Sequence, residues 1–169
     1  RELSARFEDL GAARSASAGV EVSVFSCSVL AENLETVIRL HGTLLLEPMF
    51  PEDELEPVRQ LALQELKSLE DEPASKVMVA LADKFYPSPF GRSTMGTPEG
   101  LNSISSLSLR NYYKRVFVPD GAIIGVSGKF DWDRVVKVGD DTFGGWRGSR
   151  VTLAVPQLAR QEHVHHLPQ

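Results

Sequence analysis

The chain of 169 residues is poor in the features that mark several protein classes. It has a single cysteine, Cys27, which excludes an internal disulfide framework. It has no apolar run of the length that a transmembrane helix needs. Its net charge of −5, without a block of lysine and arginine, argues against nucleic acid as a partner. The remaining composition, 42% hydrophobic and 24% charged, is typical of a soluble globular domain with a sizeable core.

Histidine is also scarce, and none of the four predicts a metal site by its pattern. His41 lies on the apolar face of a predicted helix, where a hydrogen-bonded core histidine is favoured over a ligand. His163 and His165 share one face of a strand-like segment that also holds His166, but no third ligand is evident. Cys27, in VEVSVFSCSVL, is favoured as a small buried residue over a nucleophile, because no His/Asn pattern accompanies it.

One ionisable residue, Glu65, stands out within FPEDELEPVRQLALQELKSLEDEP. This segment predicts a helix that begins near Pro51 and stops at Pro73, with acidic residues in its first turn. Its apolar stripe consists of Leu55, Val58, Ala62, Leu66 and Leu69. At about 100° per residue, Glu65 projects into the stripe, whereas Arg59 lies on the opposite, solvent side. A buried carboxylate is costly unless it is paired, protonated or bound to a metal, so Glu65 is the candidate site residue.

The other patterns predict an α+β fold. Further helices are predicted over 2–10, 33–46, 74–86, 105–117 and 131–143. Strands are predicted over 13–17 and 20–30, which form a hairpin, and over 121–128 (GAIIGVSG), 151–155 and 163–167. Because the chain opens on a helix without an initiator methionine, we interpret it as a fragment of a longer protein.

Several segments occur in an order that identifies a family. They are RELSARFEDLGA followed by a small-residue strand, LLLEPMFPEDELEPVRQLALQEL, SLEDEPASKV, PFGRSTMGTPEGLNSIS, NYYKRVFVPDGAIIGVSGKFDWDRV and FGGW. Together they resemble the insulinase-like, or M16, zinc metallopeptidases, which include the mitochondrial processing peptidase. The resemblance covers residues 1 to about 146. The resemblance depends on the number and order of these segments and not on any single motif.

The resemblance implies a mixed β-sheet with helices packed on one face, as an internal part of one of the two related M16 halves. Residues 1–169 would form a single partial domain, with 1–146 as the matching core and 147–169 as a linker and returning strands. Family members enclose unfolded peptides in a chamber between two halves and bind them partly by strand addition. The implied partners are a second half or subunit and an unfolded peptide, with homo-oligomers allowed, in the bacterial cytoplasm or periplasm. Neither a membrane nor nucleic acid is an expected partner.

The resemblance also assigns Glu65 a role. Catalytic members carry H-x-x-E-H, in which two histidines bind zinc and the glutamate is the general base. A glutamate on a later helix completes the zinc ligands, and Glu65 in LQEL occupies its position. No histidine of this chain forms the motif, which in the family lies further upstream than the chain extends. We therefore expect no catalytic residue and no cofactor in this chain by itself, and zinc in the catalytic relatives.

Two hypotheses follow. Catalytic members usually carry a second glutamate two helical turns before the ligand glutamate, and that position is Val58 here. This departure favours a non-catalytic subunit or half that forms part of the chamber wall. The alternative is a piece of the catalytic half of an active endopeptidase, with H-x-x-E-H upstream of Arg1.

Overall fold

The computed structural model of the protein describes residues 2–19 and 22–150. The elements are α1 (Glu2–Asp9), β1 (Ala13–Ala18), β2 (Ser23–Ser28), α2 (Leu34–Leu46), α3 (Glu52–Ser68), α4 (Pro73–Phe85), α5 (Pro98–Ser103), α6 (Ser106–Val116) and α7 (Trp132–Phe143). They divide into two compact units. Among the described residues, the first joins those up to Phe50 to 107–150, and the second spans Pro51–Ser106. Among the described residues, no helix combines the length and hydropathy needed to cross a membrane.

The core of the first unit forms where α1 and α2 meet. Phe7, Val37 and Leu40 are buried together, and the partly buried residues packed against them are Leu3, Leu10, Ala12, Cys27 and Val29. Helix α1 stops at Gly11, whose positive φ of 63° allows the amides after the helix to bond back to its last carbonyls. Strands β1 and β2 pair in antiparallel register from Ala13 opposite Ser28 to Ala18 opposite Ser23.

Helices α2 and α7 pack closely because a glycine removes the side chain between them. A Cβ atom on the buried Gly42 would overlap the Thr142 methyl group. Helix α7 begins at Asp131, whose carboxylate accepts a hydrogen bond of 2.9 Å from the Arg134 amide, and it buries Val138. These contacts attach α7 to the first unit.

The second unit consists of α3, α4 and α5. No hydrophobic side chain on these helices is buried, although α3 and α4 each carry an apolar stripe. The exposed apolar residues of this pair are Val58, Leu61, Val77, Met78, Leu81 and Phe85. Helix α5 begins with Pro98 after Thr97, whose hydroxyl accepts a hydrogen bond of 3.0 Å from the Gly100 amide.

The predicted α+β composition is confirmed, and most predicted helices match within one or two residues. Helix α5 was not predicted from the sequence. The prediction of a strand at 121–128 is wrong for the described chain, where that segment pairs with no strand, so the sheet described here has two strands. Backbone hydrogen bonds to a neighbour define a strand, and the apolar sequence alone does not supply one. The strands predicted at 151–155 and 163–167 lie outside the described residues.

Candidate functional site

Glu65 lies near the C-terminal end of α3, and its side chain is exposed. Its backbone carbonyl accepts a hydrogen bond of 2.7 Å from the Ser68 hydroxyl, but no described residue bonds to its carboxylate. The expectation that Glu65 is buried is therefore wrong. Its face of the helix carries Val58 and Leu61, which are themselves 61% and 57% exposed. Helical spacing identified the apolar face, but burial also requires a neighbouring element against that face.

The surroundings of Glu65 do not form a metal centre from the described residues. Within 2–19 and 22–150, no group of three or more His, Cys, Asp or Glu side chains is placed to hold a metal ion. A catalytic zinc needs three protein ligands and one open position. A single exposed carboxylate does not meet that requirement, so no catalytic step through zinc follows from these residues. Glu65 as the third ligand stays a prediction.

Val58 lies two helical turns before Glu65, on the same face of α3. By resemblance this is where catalytic members carry a second glutamate. An isopropyl group neither accepts a proton nor bonds to a ligand or a water. Val58 therefore supplies neither function at this position of α3.

His41 has the structural role predicted for it. Its ring is half-buried, and Nδ1–H donates a hydrogen bond of 2.9 Å to the Val37 carbonyl one turn earlier. The ring also meets Phe7 edge-on, with 5.1 Å between the centroids. These contacts fix its orientation at the border of the core. The prediction of a hydrogen-bonded core histidine is confirmed, whereas the segment with His163, His165 and His166 lies outside the described residues.

Cys27 lies in β2, partly buried against the core, with Sγ 3.8 Å from the Ser28 carbonyl oxygen. Burial raises the pKa of the Cys27 thiol, and the positive charge of Arg14 opposes this more weakly. A raised pKa leaves less of the reactive thiolate near neutral pH. This supports the interpretation of Cys27 as a packing residue.

Arg59 was placed on the solvent side of α3 by the sequence, yet it joins α3 to α5. Its Nε donates to the Leu101 carbonyl at 3.1 Å, and Nη2 donates to the Ile104 carbonyl. Glu56 pairs with the same guanidinium, which leaves the Arg59 side chain only 18% exposed. Because these partners are far away in the sequence, helical spacing could not find them. Arg59 therefore stabilises the end of α5.

The comparisons with known proteins identify the family. The model of the insulinase family, peptidase family M16, matches residues 1–98. The chain belongs to this family. The match includes α3 with Glu65, so the family assignment covers the helix on which the candidate site lies.

The relatives are larger proteins. The uncharacterized zinc protease YmxG of Bacillus subtilis (strain 168) is 27% identical over 161 residues, which cover 94% of this chain and 39% of that protein. The crystal structure of an inactive M16 peptidase domain from Pseudomonas fluorescens matches with a TM-score of 0.84 at 18% identity, covering 93% of this chain and 39% of that one. The first half of the periplasmic protease PqqL from Escherichia coli matches with a TM-score of 0.78 at 16% identity. The match covers 92% of this chain and 36% of that one.

These similarities establish the fold of the chain as that of an M16 peptidase domain, as the sequence predicted. The chain spans about two fifths of the length of the relatives it matches. The relatives include both a protein named as a zinc protease and a domain described as inactive. Family membership alone therefore does not establish whether the chain is catalytic.

Proposed function

We propose that the chain is part of a non-catalytic M16 half or subunit, that it contributes to the wall of a peptide-enclosing chamber, and that it does not hydrolyse peptides by itself. The observation that carries this proposal lies on α3. Glu65 is an exposed carboxylate that belongs to no group of three or more possible metal ligands among the described residues, and Val58 stands where a second glutamate is expected. One carboxylate supplies one of the three protein ligands that a catalytic zinc requires.

The exposed apolar surface of the second unit supports a role in assembly. Six hydrophobic residues on α3 and α4 are exposed, and exposed apolar residues that cluster mark surfaces that contact other protein. A second M16 half or a partner subunit is the proposed neighbour, and an unfolded peptide is the proposed cargo. The fold that the chain shares with an inactive M16 domain is compatible with this role.

The alternative is that the chain comes from the catalytic half of an active endopeptidase. One observation favours it: Glu65 is solvent-accessible on an apolar helix face, where a helix carrying the other ligands has room to pack. In that case Glu65 would be the third zinc ligand, and H-x-x-E-H would lie upstream of Arg1. The zinc-protease name of the Bacillus subtilis relative is compatible with this alternative.

Measurements on the full-length parent protein distinguish the two functions. Its sequence upstream of Arg1 is read for H-x-x-E-H, and the purified protein is assayed for zinc content and for cleavage of an unfolded peptide. Glu65→Gln and Glu52→Gln are compared, because both remove one exposed carboxylate from α3 and only Glu65 occupies the ligand position.

The non-catalytic proposal predicts no H-x-x-E-H, less than stoichiometric zinc, no cleavage, and the same zinc content in both variants. The isolated chain should likewise bind zinc no better than weakly. Stoichiometric zinc that disappears in Glu65→Gln but persists in Glu52→Gln, together with peptide cleavage, would replace the proposal with the catalytic alternative.

A further inference from the structure

A cleft of about 210 Å³ lies between the hairpin and α2 in the first unit. Its lining residues are Arg14, Ser15, Ala16, Phe25, His41 and Leu44. Arg14 and Ala16 project from the same face of β1 because they are two residues apart, and Phe25 lies opposite Ala16 in the register. At the ~30 Å³ that one water occupies in the liquid, the cleft has room for about seven non-hydrogen atoms.

Arg14 brings an uncompensated positive charge to this cleft. Its guanidinium carbon lies 4.5 Å from the centre of the Phe7 ring, which is completely buried. The ring supports one face of the guanidinium and leaves the N–H groups at its edges to bind a ligand. In the described part of the chain, no carboxylate lies within ion-pair distance of Arg14. The charge is therefore held in position without a partner of opposite sign.

His41 contributes a second polar group near the same ring. Its Nδ1–H is bonded to the Val37 carbonyl, so the ring is fixed and Nε2 is the nitrogen left to bind a ligand. Its ring and the Arg14 guanidinium both contact Phe7. No Asp or Glu is among the lining residues that the structure describes.

The rest of the lining is largely apolar. Ala16, Phe25 and Leu44 form a surface that suits an aliphatic group rather than a second charge. Inorganic phosphate or sulfate would leave this surface in contact with water. A carboxylate matches the guanidinium geometry, since Arg binds carboxylates through two parallel hydrogen bonds.

From this arrangement we infer that the cleft binds a carboxylate that carries a short aliphatic group. The carboxylate lies on Arg14, and the aliphatic group packs on Ala16, Phe25 and Leu44. Two sources have this chemistry: a free short-chain acid, and the C-terminal residue of a peptide that ends in a small apolar side chain.

The ligand chemistry is tested by titrating the ¹⁵N-labelled chain with isobutyrate and recording amide chemical shifts at constant ionic strength. Isobutyramide, which has the same shape without the charge, is the matched control. We expect saturable shifts that cluster at the lining residues, with a Kd of about 1 mM, as befits a ligand of so few atoms. We expect no saturation with isobutyramide in the same range.

Substitutions of lining residues test their roles in binding. Arg14→Gln should weaken isobutyrate binding at least about tenfold, because a charge-assisted hydrogen bond is lost. Arg6→Gln removes the same charge from an exposed position on α1 and should leave binding unchanged. Ala16→Leu fills the apolar part of the cleft from an exposed strand position, keeps both polar groups, and should abolish binding. It tests the cleft even if Arg14→Gln does not fold.

N-acetylvaline distinguishes the two sources. Binding at least as tight as that of isobutyrate assigns the cleft to a peptide C-terminus, and weaker binding assigns it to a free short-chain acid. The inference is overturned by equal binding of isobutyramide, by the same shifts with phosphate or chloride, or by equal effects of Arg14→Gln and Arg6→Gln.

Discussion

The side chain of Glu65 is exposed in the described structure. It faces solvent, and its pair of apolar neighbours on the same helix face, Val58 and Leu61, is also largely exposed. The desolvation penalty that would make a carboxylate costly on an apolar face therefore does not apply to the chain by itself. It would apply once another element covered this face, and the residue would then need a partner.

This gives a prediction for Glu65→Leu in the isolated chain. No buried charge is relieved and no hydrogen bond is lost, so the free energy of unfolding should change by less than about 0.5 kcal/mol. Glu52→Leu is the matched control, because it removes a carboxylate from the first turn of α3 and should cost about 0.3–1 kcal/mol through the helix dipole.

Urea unfolding of the two variants at neutral pH measures both changes. A stabilisation by Glu65→Leu of more than about 1 kcal/mol would mean that Glu65 is buried without compensation in solution. A loss of more than about 2 kcal/mol would mean that a satisfied hydrogen-bond or ion-pair network holds it.

Two helix contacts show how elements are held in place. Helix α5 has only six residues, too few to be stable alone, and it depends on the Thr97 cap and on the hydrogen bonds from Arg59. Helix α7 depends on close approach to α2 at Gly42, opposite Thr142. In both cases the stabilising partner lies on another element.

The α2–α7 contact predicts opposite effects for two glycine substitutions. Gly42→Ala should destabilise the chain by about 1–3 kcal/mol, because the new methyl group overlaps Thr142 in a tightly packed contact. Gly139→Ala, on α7, meets nothing within 4 Å and should stabilise the chain by up to about 1 kcal/mol through helix propensity.

Thermal melts of Gly42→Ala and Gly139→Ala measure the two changes in stability. The sign of the difference decides the outcome, because both substitutions add the same methyl group within a helix. If Gly42→Ala were as stable as Gly139→Ala, the two helices would not pack this closely in solution.

Strand edges and apolar side chains are uncovered at the scale of the whole described chain, residues 2–19 and 22–150. The hairpin has two strands. Val22, just before β2, and Val24, within β2, are exposed. The extended segment that contains Ile123, which is 93% exposed, pairs with no described strand. Unpaired edges and apolar segments of this kind are templates for pairing between molecules.

We therefore expect the isolated chain to self-associate in a concentration-dependent way, as measured by sedimentation velocity over a dilution series. Val24→Lys places a charge on the strand and should shift association to higher concentration. Val136→Lys makes the same change at an exposed position on α7 and should have less effect. A chain that stays monomeric at all concentrations would show that its edges are protected.

Local patterns in the sequence were enough to predict several elements. Gly11 ends α1 because it adopts a positive φ without strain, and Asp131 starts α7 because its side chain caps a free amide. Val37 and Ile38 are buried on the face of α2 that the apolar spacing defines, and His41 makes the hydrogen bond predicted for it. Helix α5 was missed, although Thr97 and Pro98 at its start are a cap followed by a favoured first residue. These features depend on residues a few positions apart, which the sequence contains in full.

The tertiary structure decided what depends on distant residues. Arg59 was assigned to solvent, but it binds carbonyls more than 40 residues away in the sequence. Glu65 was expected to be buried, but it is exposed, because the apolar pattern of α3 does not predict whether another element packs on that helix face. The apolar segment 121–128 has the composition of a strand, yet no described neighbour completes its hydrogen bonds. The sequence by itself determined the family, the helices and their apolar faces, because these rest on local spacing and motif order. Burial, strand pairing and long-range hydrogen bonds each require a second segment at a specific place in space, and only the folded chain supplies it.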